Sequence, residues 1–282
     1  MSIDFELEPV SKRTVAVTDP ALRSCAGAVA LNNFIVAIDP TMRPTTARLF
    51  RKKLEEYFDL LVKVLFLTHS HLDHAFGVAP FKDTCLVGSH ILTQNILKRK
   101  QTEWTPEFFA QWKQNTPADA EWIDEVEILV PTLSFQQNLE IRDDELVIEL
   151  HHVGAHTNCS AYAYVPQEKV LFAGDLMFAK GFPYAGDPTC DPDRWIKIFK
   201  EFLTLDFEQL VPGHGPVVGK EEVRKHLQFF EALKEATRKA ILAGKTQEEI
   251  EVPKFYEVTE ESAWVKTNTL KHWYQFYKHQ NR

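Results

Sequence analysis

Val62-Lys63-Val64-Leu65-Phe66-Leu67-Thr68-His69-Ser70-His71-Leu72-Asp73-His74 joins a short apolar run to three imidazoles and a carboxylate packed into six residues. The run is too short for a helix and apolar on both faces, which predicts a strand at Val62–Leu67 buried inside a covered sheet. The polar cluster follows directly, bracketed by Leu72, Ala75 and Phe76, so it reads as more than an exposed loop. Zinc takes neutral imidazole and carboxylate ligands at about 2.0–2.2 Å. In an extended turn, side chains two apart point the same way, so His69 and His71 can grip one ion. Asp73 and His74 must then turn elsewhere. Four donors that cannot converge on one tetrahedral centre point to two neighbouring metals.

Further donors are expected at the ends of later strands, on the same rim. His156 follows a strand at Glu145–His151, Asp175 follows one at Val170–Ala173, and His214 follows one at Gln209–Val211. Each stands in a turn beside glycine, where backbone and side chain can approach a ligand closely. The sequence also repeats itself faintly. Lys63-Val64-Leu65-Phe66 returns as Lys169-Val170-Leu171-Phe172, and a potential ligand follows each copy, His69 or Asp175. That echo fits a sheet sandwich built from two similar halves.

Outside the cluster, patterning predicts a helix at Arg43–Leu60 with Leu49, Leu54, Tyr57 and Phe58 on its apolar stripe. Further strands are expected at Thr84–Val87, Glu127–Val130 and Ala161–Val165, with a turn at Gln167–Glu168. Helices are expected from Ile91 to about Trp122, at Arg194–Leu203, at Lys220–Ala243 and in the tail after Thr246. The aromatic group Trp104, Phe108, Phe109 and Trp112 reads as packing for a helix pair, with a roof over an apolar substrate as the alternative. Nothing resembling a linker divides the chain, so residues 1–282 read as one domain with a helical insertion at about 91–122 and a helical C-terminal extension at about 220–282.

Composition narrows the function. The 282 residues are 44% hydrophobic and 26% charged, which excludes disordered and low-complexity classes. A net charge of −8 gives no electrostatic reason to bind a phosphate backbone, so nucleic acid is not an expected partner. The four cysteines (Cys25, Cys85, Cys159 and Cys190) form no CxxC and read as reduced thiols. The acidic start, MSIDFELEP, does not look like a signal peptide, and no apolar run is long enough to span a bilayer. The expectation is a cytoplasmic protein without membrane partners; oligomeric state is not read from these features.

Taken in order, His69-Ser70-His71-Leu72-Asp73-His74, Gly154-Ala155-His156-Thr157, Gly174-Asp175 and Pro212-Gly213-His214-Gly215-Pro216 resemble the full ligand set of the metallo-β-lactamase-fold hydrolase superfamily. The resemblance implies an α/β fold, the αββα four-layer sandwich, with metals at one edge. It implies a first zinc site of His69, His71 and His156, a second of Asp73, His74 and His214, and Asp175 bridging both. The implied activity is a dinuclear zinc hydrolase in which a metal-bridging hydroxide cleaves an ester, thioester, lactone or β-lactam carbonyl of a small-molecule substrate. Asp73 is then catalytic as well as a ligand, orienting the hydroxide. Iron or manganese suit the same donors. A persulfide dioxygenase-like iron oxidoreductase of the same fold is the alternative, and a non-catalytic binding module is another. Quorum-type lactonases tend to carry Tyr three residues after the bridging Asp, where this chain has Phe178. Tyr184 and Lys180 are the nearest replacements as substrate contacts. His90, His151 and His152 read as supports for the ligands rather than ligands, and Cys159 as a buried thiol.

Overall fold

In a computed structural model that describes residues 3–280, the chain opens with four strands that hydropathy does not single out. They are β1 (Glu8–Pro9), β2 (Thr14–Val17), β3 (Ala26–Ala30) and β4 (Ile35–Ile38). Helix α1 (Pro44–Phe58) follows, and then β5 (Val62–Leu67), with the bounds expected for it. A single turn, α2 (Leu72–Ala75), leads to β6 (Leu86–His90) and to a helical insertion, α3 (Ile91–Glu103), α4 (Pro106–Asn115) and α5 (Ala120–Ile123). Strand β7 (Leu133–Phe135) completes a seven-stranded sheet ordered β1 to β7. The chain continues with β8 (Asn138–Arg142), β9 (Val147–His152), β10 (Ala161–Val165), β11 (Val170–Phe178), helix α6 (Pro192–Thr204) and β12 (Gln209–His214). The second sheet is five-stranded, ordered β12-β11-β10-β9-β8. Helices α7 (Lys220–Leu242) and α8 (Ala263–Gln280) end the described chain.

Both sheets bury both faces over their central strands. Val29, Val36, Val64 and Phe66 of the first meet Ile148, Leu150, Ala163, Val170 and Phe172 of the second in an apolar layer between them. Ala47, Phe50 and Leu54 of α1 cover the outer face of the first sheet beside Ala28, Ala37 and Leu65. Trp195, Phe199 and Phe202 of α6, with α7 and α8 behind them, cover Tyr162, Tyr164 and Leu171 of the second. The result is a helix–sheet–sheet–helix sandwich of four layers.

The repeated tetrapeptide marks equivalent places. Val64 and Phe66 of β5 point between the sheets while Leu65 points to α1; Val170 and Phe172 of β11 point between the sheets while Leu171 points to α6. Each strand is interior to its sheet, β5 between β4 and β6, β11 between β10 and β12. Their C-terminal ends therefore reach the same lip.

Several expected elements shift, each for a local reason. Residues 127–130 are not a strand: Val126 and Ile128 pack on the helical insertion, and the ladder forms later, at β7. Thr84 and Cys85 belong to a turn, their N–H groups donating to Phe81 O, so β6 starts at Leu86. Asp143 Oδ1 accepts from the N–H groups of both Glu145 and Leu146, a turn that delays β9 to Val147. On α1 the buried stripe is Ala47, Phe50 and Leu54; Leu49 and Phe58 are only partly covered and Tyr57 is 53% exposed. The aromatic group of the insertion packs mainly inward, Trp104, Phe109 and Trp112 all meeting the ring of Phe76 within 5.8 Å. No helix of the described residues is long and apolar enough to cross a membrane.

Helix α8 presses the fully buried Trp273 and Tyr277 onto the second sheet's helical layer, Trp273 lying 5.2 Å from the ring of Phe230. Trp273→Ala should cost about 3–5 kcal/mol and lower the thermal midpoint by roughly 10 °C. A calorimetric scan is expected to show one transition, because α8 shares its core with α6 and α7; separate melting of the tail would contradict that.

Candidate metal centre

Two local conformations divide the His69–His74 cluster. Residues 69 to 71 continue extended from β5, so His69 and His71 face one centre; α2 then turns Asp73 and His74 toward another. His71 is the N-cap of α2 yet makes no side-chain capping bond, its imidazole being committed elsewhere. Across the lip, β11 runs on through Gly174 to Asp175, and β12 ends at His214. A Cβ on Gly213 would stand 2.0 Å from Asp175 Oδ1, and one on Gly174 would stand 2.7 Å from Thr68 Oγ1, so both glycines let the strands close on each other.

Asp175 lies between the two halves. Its Oδ2 is 3.6 Å from His69 Nε2 and 3.3 Å from His156 Nε2; its Oδ1 is 2.9 Å from His74 Nε2 and 3.3 Å from His214 Nε2. Asp73 Oδ2 stands 3.2 Å from His214 Nε2, and His156 Nε2 stands 3.0 Å from His71 Nδ1. The residues gather into two overlapping groups, His69, His71, His156 with Asp175, and Asp73, His74, His214 with Asp175. Every expected ligand is present in one of them. Four donors about 2.1 Å from a tetrahedral ion stand about 3.4 Å from one another, which is the spacing seen.

Outer partners orient the rings. His156 Nδ1 donates to Tyr184 O, which can only accept, leaving Nε2 as a lone pair toward the centre. His74 Nδ1 donates to Asp39 Oδ2 at 2.8 Å. Thr68 Oγ1 donates to the same Asp39 oxygen and accepts from His69 Nδ1 at 3.0 Å, while Thr68 N–H donates to Asp39 Oδ1. His71 Nε2 meets Asp187 Oδ2 at 3.0 Å. The inner atoms His69 Nε2, His74 Nε2 and Asp175 Oδ1 are buried and face one another without a hydrogen bond of good geometry. Leaving such atoms unsatisfied costs about 1–3 kcal/mol each, and cations between them would satisfy all three.

Charge follows the same division. Burial lowers His69 and His156, keeping both neutral and ready to donate lone pairs. Burial also pulls on His74 and His214, but the charges of Asp175 and Asp73 overcome it, lifting His74 well above its usual value and His214 to about 9. Burial raises Asp73 and Asp175, and the surrounding imidazoles bring both below the usual carboxylate range. The carboxylates thus concentrate negative charge on the second group, the side where a divalent cation would be held most strongly. The pocket is closed beneath and open above. His69, His74, His156 and Asp175 are at most 4% exposed, whereas His71, Asp73 and His214 keep 25%, 21% and 31%. An open side distinguishes a site that admits substrate from a structural one.

The remaining candidates separate. Tyr184 is half-buried, with its ring 6.3 Å from that of His71. Lys180 is exposed; its backbone N–H donates to Glu222 Oε1, and among the described residues its ammonium makes no ion pair or hydrogen bond. Phe178 stacks on His214 at 5.0 Å. His90 of β6 and His152 of β9 stack on each other across the two sheets, and His151 bonds Asn138 and Glu149, so these three are engaged away from the ligands. Cys159 is fully buried, its thiol near Thr157 and Ser70. Asp39 and Asp187 were not anticipated. Asp39 directly follows the apolar strand β4, the position after an apolar run that singles out His156, Asp175 and His214 in the sequence, so the same signal marks it. Asp187 sits in an irregular loop and has no comparable signal.

The family profile described as Metallo-beta-lactamase superfamily matches residues 29–214. The chain is 27% identical over 240 residues to the 2,4-dinitroanisole O-demethylase subunit alpha of a Nocardioides species, covering 84% of this chain and 66% of that protein, just under two thirds of its length. It is 28% identical over 176 residues to the hydroxyacylglutathione hydrolase GloC of Haemophilus influenzae, covering 61% of this chain and 77% of that one. Among solved structures, a metallo-beta-lactamase from Pontibacter korlensis superposes with a TM-score of 0.61 at 19% identity, covering 81% of this chain and 99% of that one. A double mutant of the sec-alkyl sulfatase PisA1 superposes with a TM-score of 0.70 at 17% identity, over 97% of this chain and 50% of that chain. These structural likenesses concern the fold.

Asp39 touches no inner atom, yet it holds His74 directly and His69 through Thr68. Asp39→Ala should weaken zinc binding about 10–100-fold, read by competition with a fluorescent chelator, while the circular dichroism spectrum stays that of the parent.

Proposed function

The chain belongs to the metallo-beta-lactamase superfamily, and from that premise we propose that it is a two-metal hydrolase acting on an ester, thioester, lactone or β-lactam carbonyl of a small molecule. The observation that carries the proposal is the sharing of Asp175 by two complete donor groups that open to solvent on one side. His69, His71 and His156 would hold the first ion and Asp73, His74 and His214 the second, with one Asp175 oxygen turned to each. Zinc matches this imidazole and carboxylate set, which iron and manganese also accept. A divalent pair in such a site supplies a nucleophile from water at neutral pH and polarises the carbonyl.

The chain's own groups do the rest. Asp73 faces the opening, with Oδ2 toward His214; its other oxygen, Oδ1, would accept a hydrogen bond from the attacking water and return that proton to the leaving group. His71, steadied by Asp187, and Tyr184 would line the approach of the acyl group. Phe178 stacked on His214 would keep bulk water off that ring. The hydroxyacylglutathione hydrolase named among the relatives supports a hydrolytic reading, and the O-demethylase subunit shows that sequences at similar distance serve another bond cleavage.

A saturating chelator should abolish turnover on a panel of esters, thioesters, lactones and β-lactams, and added zinc should restore it. Activity that persists without metal would end the proposal. Asp175→Ala should lose both ions together, leaving well under one per chain by elemental analysis; two tightly held ions would refute the shared ligand. Asp73→Asn should lower kcat by about 10²–10⁴-fold, the usual scale for a positioned acid–base group.

A further inference from the structure

Trp264 is 58% exposed on α8, a helix whose Leu270, Trp273 and Tyr277 are buried. Its ring lies 5.4 Å from that of Tyr184, and the Tyr184 ring lies 6.1 Å from that of His156 and 6.3 Å from that of His71. An aromatic surface thus runs outward from the first donor group to solvent.

This surface is fastened at several points. Thr269 Oγ1 on α8 donates to Pro183 O at 3.1 Å and accepts from Ala185 N–H at 2.9 Å, clasping the backbone on both sides of Tyr184. His156 Nδ1 donates to Tyr184 O itself. His272 Nε2 donates to Cys190 O at 2.8 Å, tying the same helix to the far end of the loop. A Cβ on Gly186 would stand 2.8 Å from Asn268 Cβ and 2.9 Å from the Tyr184 ring, so a side chain there would push α8 away. A large indole is therefore held in water beside the opening by a helix that could have turned it inward.

We propose that Tyr184 and Trp264 form a recognition platform that favours substrates carrying an aromatic ring on the acyl side of the scissile carbonyl. The inference rests on the hydrolase reading above. The side matters: the platform adjoins His71 and His156, while Asp73, assigned to the leaving group, belongs to the other donor group. Neither platform residue carries a charge, so the platform suits an apolar ring rather than an anionic group. Aromatic side chains prefer offset or edge-to-face partners at centroid separations of about 4.5–7 Å, the range already seen between these rings, and a flat ligand extends the series.

The test uses the zinc-loaded full chain and two matched probes, methyl phenylacetate and methyl hexanoate, with phenylacetate and hexanoate as binding ligands in calorimetry. Trp264→Ala should raise KM for the phenyl ester and Kd for phenylacetate about tenfold, leave kcat within about twofold, and leave both alkyl probes unchanged. Trp264→Phe should restore most of the loss. Equal effects on phenyl and alkyl probes, no effect, or no binding of phenylacetate to the parent protein would overturn the platform. The two proposals fail separately: turnover that survives chelation defeats the hydrolase reading, whereas chelator-sensitive turnover without phenyl selectivity defeats this one. If neither ester is turned over, the calorimetric comparison of the two carboxylates still decides the platform.

Discussion

One carboxylate with its two oxygens facing opposite ways sets the geometry of the whole lip. Asp175 can serve both donor groups only because the end of β5 and the irregular Gly174–Asp175 step inside β11, interior strands of different sheets, lie at the same height. The sandwich core of Val64, Phe66, Val170 and Phe172 fixes that height. Gly213 then lets β12 pass so near that any side chain would strike the carboxylate. Burying Asp175 among imidazoles is unfavourable unless its charge is met. The fold surrounds it with imidazoles on both sides, His69 and His156 at one oxygen and His74 and His214 at the other, where cations would meet its charge.

Asp39 extends the same constraint outward. It directly follows β4, which pairs in parallel with β5, so strand register brings its carboxylate beside Thr68. From there it sets the direction of two rings belonging to different donor groups. A single buried side chain thereby orients rings in both halves of the site, and orienting a ring is what an outer partner of a metal-binding histidine ordinarily does.

Much of this was legible in the sequence because the informative residues obey strand-end logic. An apolar run leading to a histidine or aspartate marks His69, His156, Asp175 and His214, with a nearby glycine strengthening the last three, and the repeated Lys-Val-Leu-Phe marks the two strands that carry the lip. What escaped lacked that contrast. Strand β8 alternates polar and apolar residues over Asn138–Arg142 and is half-exposed. Strands β2 and β3 are short and rich in Ala, Gly and Val, with no turn signal strong enough to frame them. Val126 and Ile128 are apolar because a neighbouring helical insertion needs them, which periodicity cannot tell from a strand. Tyr184 and Trp264 are far apart in sequence and meet only through α8, so their pairing is a tertiary fact.

The layers around the lip divide the work. The sheets and the buried donors make the centre, while the insertion α3–α5 packs on Phe76 beside it and α8 fastens the Tyr184 loop that orients His156. The account stands or falls on two cations sharing Asp175. Anomalous diffraction at the zinc edge from crystals of the zinc-loaded chain tests this directly. The account requires two peaks about 3.5–4 Å apart, one beside Asp175 Oδ2 with His69, His71 and His156, the other beside Oδ1 with Asp73, His74 and His214. A single peak, or peaks bound away from Asp175, would contradict it.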